Sequence, residues 1–249
     1  MKFTFEPIAF VHSPFKDRFA VPRQPGLAES ANGYLQFLKS ETLKVALKGL
    51  EGFSRLWIVF VFHDHGSESW KPSVRPPRLG GNKKVGVLAT RSPHRPNPIG
   101  ISCVEVEKIE LEAKNGPQIY VRGLDIIDGT PVLDVKPYLP YADSFPNASS
   151  GWASEEIKRY EVHWDRSAYE SLMSLAPSNF ETLKSMIEDV LCLDPRPAFQ
   201  KRKHPVDTED SKGLSYGFDL EGLDVKYQLN QGTFLITEIL IYSSEKQKK

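Results

Sequence analysis

The sequence predicts a mainly β protein in two parts: a strand-rich N-terminal domain, read as a β-barrel in preference to a sandwich, followed by a smaller C-terminal α+β domain. Three observations carry this. Short β-branched and aromatic runs with Gly and Pro punctuation fill residues 1–140. A small, polar, turn-rich segment at 141–154 (YADSFPNASSGWAS) then reads as a connection. Beyond it the apolar positions change to helical spacing. The boundaries fall at 1–145 and 146–249.

Each element has its own signal. Residues 5–11 are a mixed apolar stretch that ends in Ser13-Pro14. After Ser40, a candidate cap, Leu43, Ala46, Leu47 and Leu50 share one helical face. Residues 56–62 (LWIVFVF) form a continuous run of strand length suited to burial on both sides. A short strand is expected over 84–90 (KVGVLAT). Val104, Val106, Ile109 and Leu111 mostly alternate with Glu and Lys, and the turn Asn115-Gly116-Pro117 leads into 119–124 as a hairpin partner. In the second domain Phe180, Leu183, Ile187, Val190 and Leu191 make a helical stripe, with Ser178 or Asn179 as cap and Pro195 as stop. A polar loop over 200–213 precedes strands at 216–220, 225–229 and 234–242, the last two joined at Asn230-Gln231-Gly232. The expected unit has two helices and about three antiparallel strands.

Composition narrows the class. The chain has 249 residues, 40% hydrophobic and 26% charged, which excludes a disordered polymer. The longest apolar run, 56–62, is far short of the ~20 residues that span a bilayer. Glu6 and Pro7 interrupt the position where a signal peptide needs its apolar stretch. Two cysteines build neither a disulfide framework nor a Cys-based zinc site, so a reducing cytoplasm is expected. Lys and Arg total 32 against 32 Asp and Glu, but the zero sum hides an asymmetry. No acidic residue lies between Glu68 and Glu105, where Lys71, Arg75, Arg78, Lys83, Lys84, Arg91 and Arg95 cluster with His94. That stretch is either a solvated loop or a basic face for a phosphate backbone.

The motifs sharpen the choice. Residues 74–102 (VRPPRLGGNKKVGVLATRSPHRPNPIGIS) set Arg side chains on a backbone stiffened by Pro76, Pro77, Pro93, Pro96 and Pro98. A guanidinium fork grips a carboxylate or phosphate best when its support is rigid. In 123–140 (GLDIIDGTPVLDVKPYLP), Asp125, Asp128 and Asp134 surround an Asp128-Gly129-Thr130-Pro131 turn. Such carboxylates can bind ribose hydroxyls, accept a proton or hold a metal, or simply cap the turn. His63 and His65 fall on one face of a strand end and could co-ligate a metal, but no further ligand follows at a recognisable spacing. No dinucleotide fingerprint, Walker A loop or nucleophile elbow is present.

These blocks together resemble the TsaA-like (TrmO) family. The resemblance rests on 20–26 (AVPRQPG), 74–81 (VRPPRLGG), 90–100 (TRSPHRPNPIG), Asp128-Gly129-Thr130-Pro131 with 134–138 (DVKPY), and 194–198 (DPRPA), in order and with their spacing. It implies an S-adenosylmethionine-dependent tRNA methyltransferase acting on N6 of threonylcarbamoyladenosine at position 37, in the anticodon loop of tRNAs that read threonine codons. It also implies an N-terminal barrel, a C-terminal α+β domain, a homodimer and no metal. By likeness, Arg23, Gln24, Pro25, His63, Asp64, Arg91, Ile101, Leu124, Asp125, Asp128, Gly129, Thr130 and Pro131 would surround the methyl donor. Within that set Arg91 is expected on the donor's carboxylate and Asp125 or Asp128 on the ribose or the attacking nitrogen, with a carboxylate such as Asp128, or His63, as proton acceptor. RNA contacts are expected from Lys71, Arg75, Arg78, Lys83, Lys84 and Arg95, with Trp70 nearby as a stacking plane, and from Arg196, Lys201, Arg202 and Lys203 in the second domain. The chain departs from the family pattern with Phe199 in place of Tyr, and with Asp64 where an amide can stand. Two rival readings are a non-catalytic RNA-binding adaptor with a vestigial ligand pocket, and a metal-dependent hydrolase using His63, His65 and a nearby Asp.

Overall fold

The computed structural model describes residues 2–64 and 70–242. The chain forms two units, Met1–Ser13 with Arg23–Glu155, and Pro14–Pro22 with Glu156–Lys249. In the first, six strands close into a barrel in the order β1 (Ala9–His12), β2 (Asn32–Phe37), β7 (Gln118–Arg122), β6 (Ile99–Glu110), β3 (Arg55–Val61), β8 (Pro131–Pro137). Every neighbouring pair is antiparallel, and β8 returns to β1 through Ala9↔Val132 and Phe10↔Pro131. Closure leaves no open edge.

The barrel core is what strand alternation dictates. Leu56, Ile58 and Phe60 from β3, Val104 from β6, Ile119 and Val121 from β7, and Leu35 and Phe37 from β2 point inward and are buried. Residues between them, such as Val59, Val61, Ile99 and Ile101, point outward. Gly100 is required because the Phe60 ring lies across it; a Cβ there would sit 2.3 Å from the ring. Helix α1 (Glu41–Ala46) starts at Ser40, whose Oγ accepts from the Leu43 amide at 3.4 Å, and Leu47 plugs the barrel core.

Two barrel strands carried no clear signal. In β2 (NGYLQF) only Leu35 and Phe37 are buried, and β8 (PVLDVKP) begins and ends with proline. Prolines are tolerated there because they sit at the strand ends. The strand expected over 84–90 shrinks to β5 (Val85–Gly86), paired with β4 (Ser73–Val74), before a 3-10 turn at Val87–Ala89 buries Val87. Between β7 and β8 the chain leaves the ladder, and Leu124 and Ile126 drop into the barrel core. Helix α2 (Pro140–Asp143) follows β8.

In the second unit, α3 (Arg166–Leu175) and α4 (Phe180–Leu191) pack with a four-stranded sheet in the order β10 (Ser215–Leu220), β11 (Leu223–Asn230), β12 (Thr233–Ile241), β9 (Val162–Trp164). The predicted stripe on α4 is the buried one, joined by Met186. Strand β9, too short to announce itself, runs parallel to β12. The expected loop at 200–213 begins instead inside a short helix, α5 (Ala198–Lys203). No helix among the described residues is long and apolar enough to cross a membrane.

Candidate active site

The barrel end that carries the 124–131 stretch gathers two linked clusters. The first is built on Arg91. Its Nη1 donates to Gln24 Oε1 at 2.7 Å, and Gln24 Nε2 donates to the Arg23 carbonyl, which fixes the amide with its oxygen toward the guanidinium. The loop bearing Arg23, Gln24 and Pro25 is pinned where Gly26 N–H donates to the Gly123 carbonyl at 3.0 Å. Gly123 has φ +75° and its Cβ position lies 3.3 Å from Gly26, so a side chain there would push the two strands of chain apart. Asp125 sits on this cluster, with Ser102 Oγ hydrogen-bonded to its Oδ1. Burial pushes its carboxyl up to about 6, against the opposing pull of the Ser102 hydrogen bond and the Arg91 charge.

The second cluster is built on the turn. Asp128 Oδ1 accepts from the Ser13 amide at 3.0 Å, so at least one oxygen ties the turn to the end of β1. Gly129 N–H donates to the Val11 carbonyl at 2.8 Å. Thr130 is buried, and its hydroxyl donates its single proton to the Ile127 carbonyl at 2.7 Å. His63 Nδ1 lies 3.3 Å from the same hydroxyl oxygen. With that proton spent, Nδ1–H must be the donor, so a neutral His63 presents Nε2 as a lone pair. His63 and Asp64 are exposed at the strand mouth. Among the described residues no three His, Cys, Asp or Glu side chains gather as metal ligands; His65 lies outside them.

The structure separates other expected site residues by role. The Leu124 side chain belongs to the barrel core and its N–H donates to the Ala31 carbonyl at 3.1 Å, so of its polar groups only the carbonyl can face a ligand. Ile101 lies on the outer face of β6, 47% exposed, back to back with the inward Ser102. Pro131 opens β8.

Among the basic residues, Lys71, Arg75, Lys83 and Lys84 are exposed and form no ion pair with a described residue. Arg78 donates to the Glu155 carbonyl, and Arg95 to the Thr90 carbonyl at 3.1 Å; both brace the loop. Trp152 Nε1 reaches the Ala89 carbonyl at 3.0 Å and anchors the same loop. Trp70 is half exposed.

Arg196 does not belong to a basic surface. Its side chain is fully buried, with Nε and Nη2 on the two oxygens of Asp194 at 2.7 and 2.9 Å and Nη1 on the His204 carbonyl at 2.9 Å. The guanidinium also stacks over Tyr216 at 5.1 Å. Asp194 holds a left-handed φ of 54°, so the pair locks the turn that ends α4. Lys201 donates to the Asp194 carbonyl, while Arg202 and Lys203 are exposed.

The comparisons with known proteins decide the family. The profile for the tRNA-methyltransferase O N-terminal domain matches residues 10–144, and that for the TrmO C-terminal domain matches 157–241. The chain belongs to the TrmO family. It is 42% identical over 233 residues to an Escherichia coli K12 protein named tRNA (adenine(37)-N6)-methyltransferase, covering 93% of this chain and 95% of that one. A Pseudomonas aeruginosa protein, RcsF, assigned as an S-adenosylmethionine-dependent methyltransferase, is 40% identical over 91% of this chain and 93% of its own. The crystal structure of TrmO from Pseudomonas aeruginosa superposes with a TM-score of 0.76 at 33% identity, covering 96% of this chain and 99% of that one.

Within this TrmO-family chain, Ser13 and Ser102 are the site residues that the motifs did not flag. Both are buried, Ser13 Oγ donating to the Ile126 carbonyl at 2.7 Å and Ser102 Oγ meeting Asp125. A signal existed for Ser102: in the alternation of β6 it occupies an inward position between Gly100 and Val104, where an apolar residue belongs.

Proposed function

We propose that this TrmO-family chain is an S-adenosylmethionine-dependent tRNA methyltransferase acting on N6 of adenosine 37, and that this adenosine carries a threonylcarbamoyl group in tRNAs that read threonine codons. The observation that supports it most is the placement, along one stretch, of a braced guanidinium and an imidazole with a free basic nitrogen. The donor set fits the methyl donor. Arg91 spends Nη1 on Gln24 and keeps further N–H groups for a carboxylate. Arg23, Gln24, Pro25, Asp64, Ile101 and the 128–131 turn complete the donor-binding set. When bound, S-adenosylmethionine supplies an electrophilic methyl group on a sulfonium.

The chain's own work is alignment and proton removal. N6 of a threonylcarbamoylated adenine has its lone pair delocalised into ring and carbamoyl, so the nitrogen must lose its proton as the N–C bond forms. His63 Nε2 accepts that proton, because Thr130 holds Nδ1 protonated. Asp128, tied to Ser13, keeps the turn in place rather than serving as the base. Position 37 lies in a single-stranded loop, so its base can be splayed into a pocket cheaply. Lys71, Arg75, Lys83 and Lys84 meet the loop phosphates, and Arg202 and Lys203 add charge from the second unit.

We further infer a homodimer, supported by the outward apolar face of Val59, Val61, Ile99 and Ile101 on adjacent barrel strands. A cytoplasmic location goes with a tRNA substrate and with Cys103 and Cys192 as free thiols. The test is transfer of labelled methyl from S-adenosylmethionine to threonine tRNA with and without the threonylcarbamoyl group. Transfer only to the modified tRNA is expected. Transfer to both would remove the threonylcarbamoyl requirement; transfer to neither would leave the adaptor reading.

A further inference from the structure

We propose that the second unit carries a pocket of its own, which takes one unpaired guanine of the tRNA, stacked on Phe19 and read at its edge by strand β10. This rests on the functional reading above and adds to it a recognition site within the second unit. The pocket is a cavity of about 260 Å³ formed wholly by residues of that unit. Its walls come from three places in the chain. The 194–198 motif gives Pro195, Arg196 and Pro197, β10 gives residues 216–219, and the 14–22 segment gives Phe19. The inner rings are already held: Tyr216 and Tyr227 stack at 5.9 Å, and the Arg196 fork, spent on Asp194, lies over Tyr216 at 5.1 Å. Phe19, 44% exposed with Arg18 over its ring at 5.9 Å, is the aromatic with surface left for a base.

The edge of β10 supplies the hydrogen-bonding groups, for it is the outermost strand of its sheet. Leu220 and Leu223 flank a two-residue turn and so exchange hydrogen bonds; by alternation Phe218 does so with Val225, and Tyr216 with Tyr227. Gly217 and Asp219 therefore turn N–H and C=O away from β11. Four consecutive strand residues line one cavity only when it lies against that edge, because their side chains alternate between faces. Among the described residues no backbone group pairs with these outward groups, and Gly217 is exposed with no side chain to screen them. Beyond them the Glu221 N–H donates to the Pro14 carbonyl at 3.2 Å. The open edge stops there, so a planar base fits where an added strand of ordinary length does not. Asp219 adds an acceptor, since its Oδ1 is buried with no hydrogen-bond partner among the described residues. The order of donor, acceptor and acceptor complements guanine, which presents O6, N1–H and N2–H₂ along one edge. Asp17, also on the wall, is already engaged, its Oδ1 accepting from the Phe19 amide at 3.0 Å. Arg18, and Arg202 and Lys203 just beyond the lining residue Gln200 on α5, are exposed cations for the flanking phosphates.

The experiment follows amide hydrogen exchange by NMR in the full-length protein with GMP, AMP, CMP or UMP, for wild type, Phe19→Ala, Phe19→Trp and Asp219→Ala. Each protein is also assayed for tRNA affinity and for the KM of tRNA and of S-adenosylmethionine. GMP should slow exchange at the Gly217 amide and bind about tenfold more tightly than UMP. Phe19→Ala should weaken GMP and tRNA binding about tenfold without changing the salt slope, the kinetic loss falling on the KM of tRNA. Phe19→Trp keeps a stacking plane and should restore both. Asp219→Ala should erase the preference for GMP. Wild type whose β10 responds to no nucleotide, or to all four alike, would overturn the inference, as would a Phe19→Ala protein with wild-type tRNA affinity. Wild type that showed GMP protection yet transferred methyl to no tRNA would instead overturn the functional reading and leave the pocket standing.

Discussion

Replacing Arg196 with methionine tests whether the 194–198 motif is architecture or RNA contact. Methionine keeps much of the stem and removes the guanidinium. Asp194 would then lose both hydrogen bonds of the fork, the His204 carbonyl would lose its donor, and a carboxylate only 5% exposed would be left with the amide of residue 196 at 3.3 Å and Lys201 Nζ at 3.8 Å. Breaking a buried pair by removing one partner costs about 3–5 kcal/mol, because the remaining charge stays desolvated. For a unit of this size each kcal/mol lowers the midpoint by about 4–8 °C, so a fall of about 12 °C or more is expected for the second unit. Segment-resolved hydrogen exchange is the suitable assay, since it reads α4, α5 and β10 apart from the barrel. Protection should collapse there and persist in β3 and β6. Arg202→Met, on the exposed side of α5, serves as control and should stay within about 0.5 kcal/mol of wild type. If Arg196→Met left exchange unchanged while weakening tRNA binding in a salt-dependent way, the buried fork would be the wrong description and a phosphate contact the right one.

Four further outcomes follow from the same geometry. Lys83→Ala with Lys84→Ala should weaken tRNA binding evenly across sequences and reduce the slope of log K against log salt by about 1.4, measured by filter binding; an unchanged slope would remove both from the backbone contact. His63→Gln should lower kcat by about 10²–10⁴ with donor affinity nearly unchanged, read by single-turnover assay; equal losses in binding would make His63 a ligand rather than a base. Gly100→Ala should cost about 1–3 kcal/mol in chemical unfolding, because the new methyl meets the Phe60 ring. Asp125→Asn should stabilise the protein above pH 6, by up to about 3 kcal/mol, and lose that advantage below about pH 4. The sign comes from a carboxyl whose folded value of about 6 lies above its ordinary 3.8: charging it costs the folded state more than the unfolded one. A neutral variant that unfolded earlier at pH 7.5 would contradict the burial argument.

What was legible in the sequence is what local chemistry determines. The 56–62 run, the 180–191 stripe and the Asn115-Gly116 hairpin each declare an element by side-chain type and period alone, and each is present. Strands β2 and β8 were not legible, because a closed barrel supplies through its neighbours the pairing that NGYLQF and PVLDVKP do not advertise. Arg196 shows the converse error. Counted with Lys201, Arg202 and Lys203 it reads as a charge cluster, yet the Asp two residues before it can reach its fork across a left-handed turn, and that pairing is a three-dimensional fact.

The site divides along the same line. Arg91, Asp125, Asp128 and His63 are visible as chemistry-bearing residues in dense motifs, whereas the partners that assign their roles are not. Ser13 occupies one oxygen of Asp128, and Thr130, by spending its proton on Ile127, leaves Nδ1 of His63 as the donor; these two contacts are why the proposal above favours His63 over Asp128 as base. Ser102 gives the Asp125 carboxyl a hydrogen-bond partner inside the barrel wall, while burial raises the carboxyl to about 6 against that bond. In each case a small hydroxyl or an amide, unremarkable in the sequence, selects which of several plausible groups does the work. Small buried polar residues, whether inward on a strand as Ser102 or just beyond a strand end as Ser13 and Thr130, are what orient the charged groups at this end of the barrel.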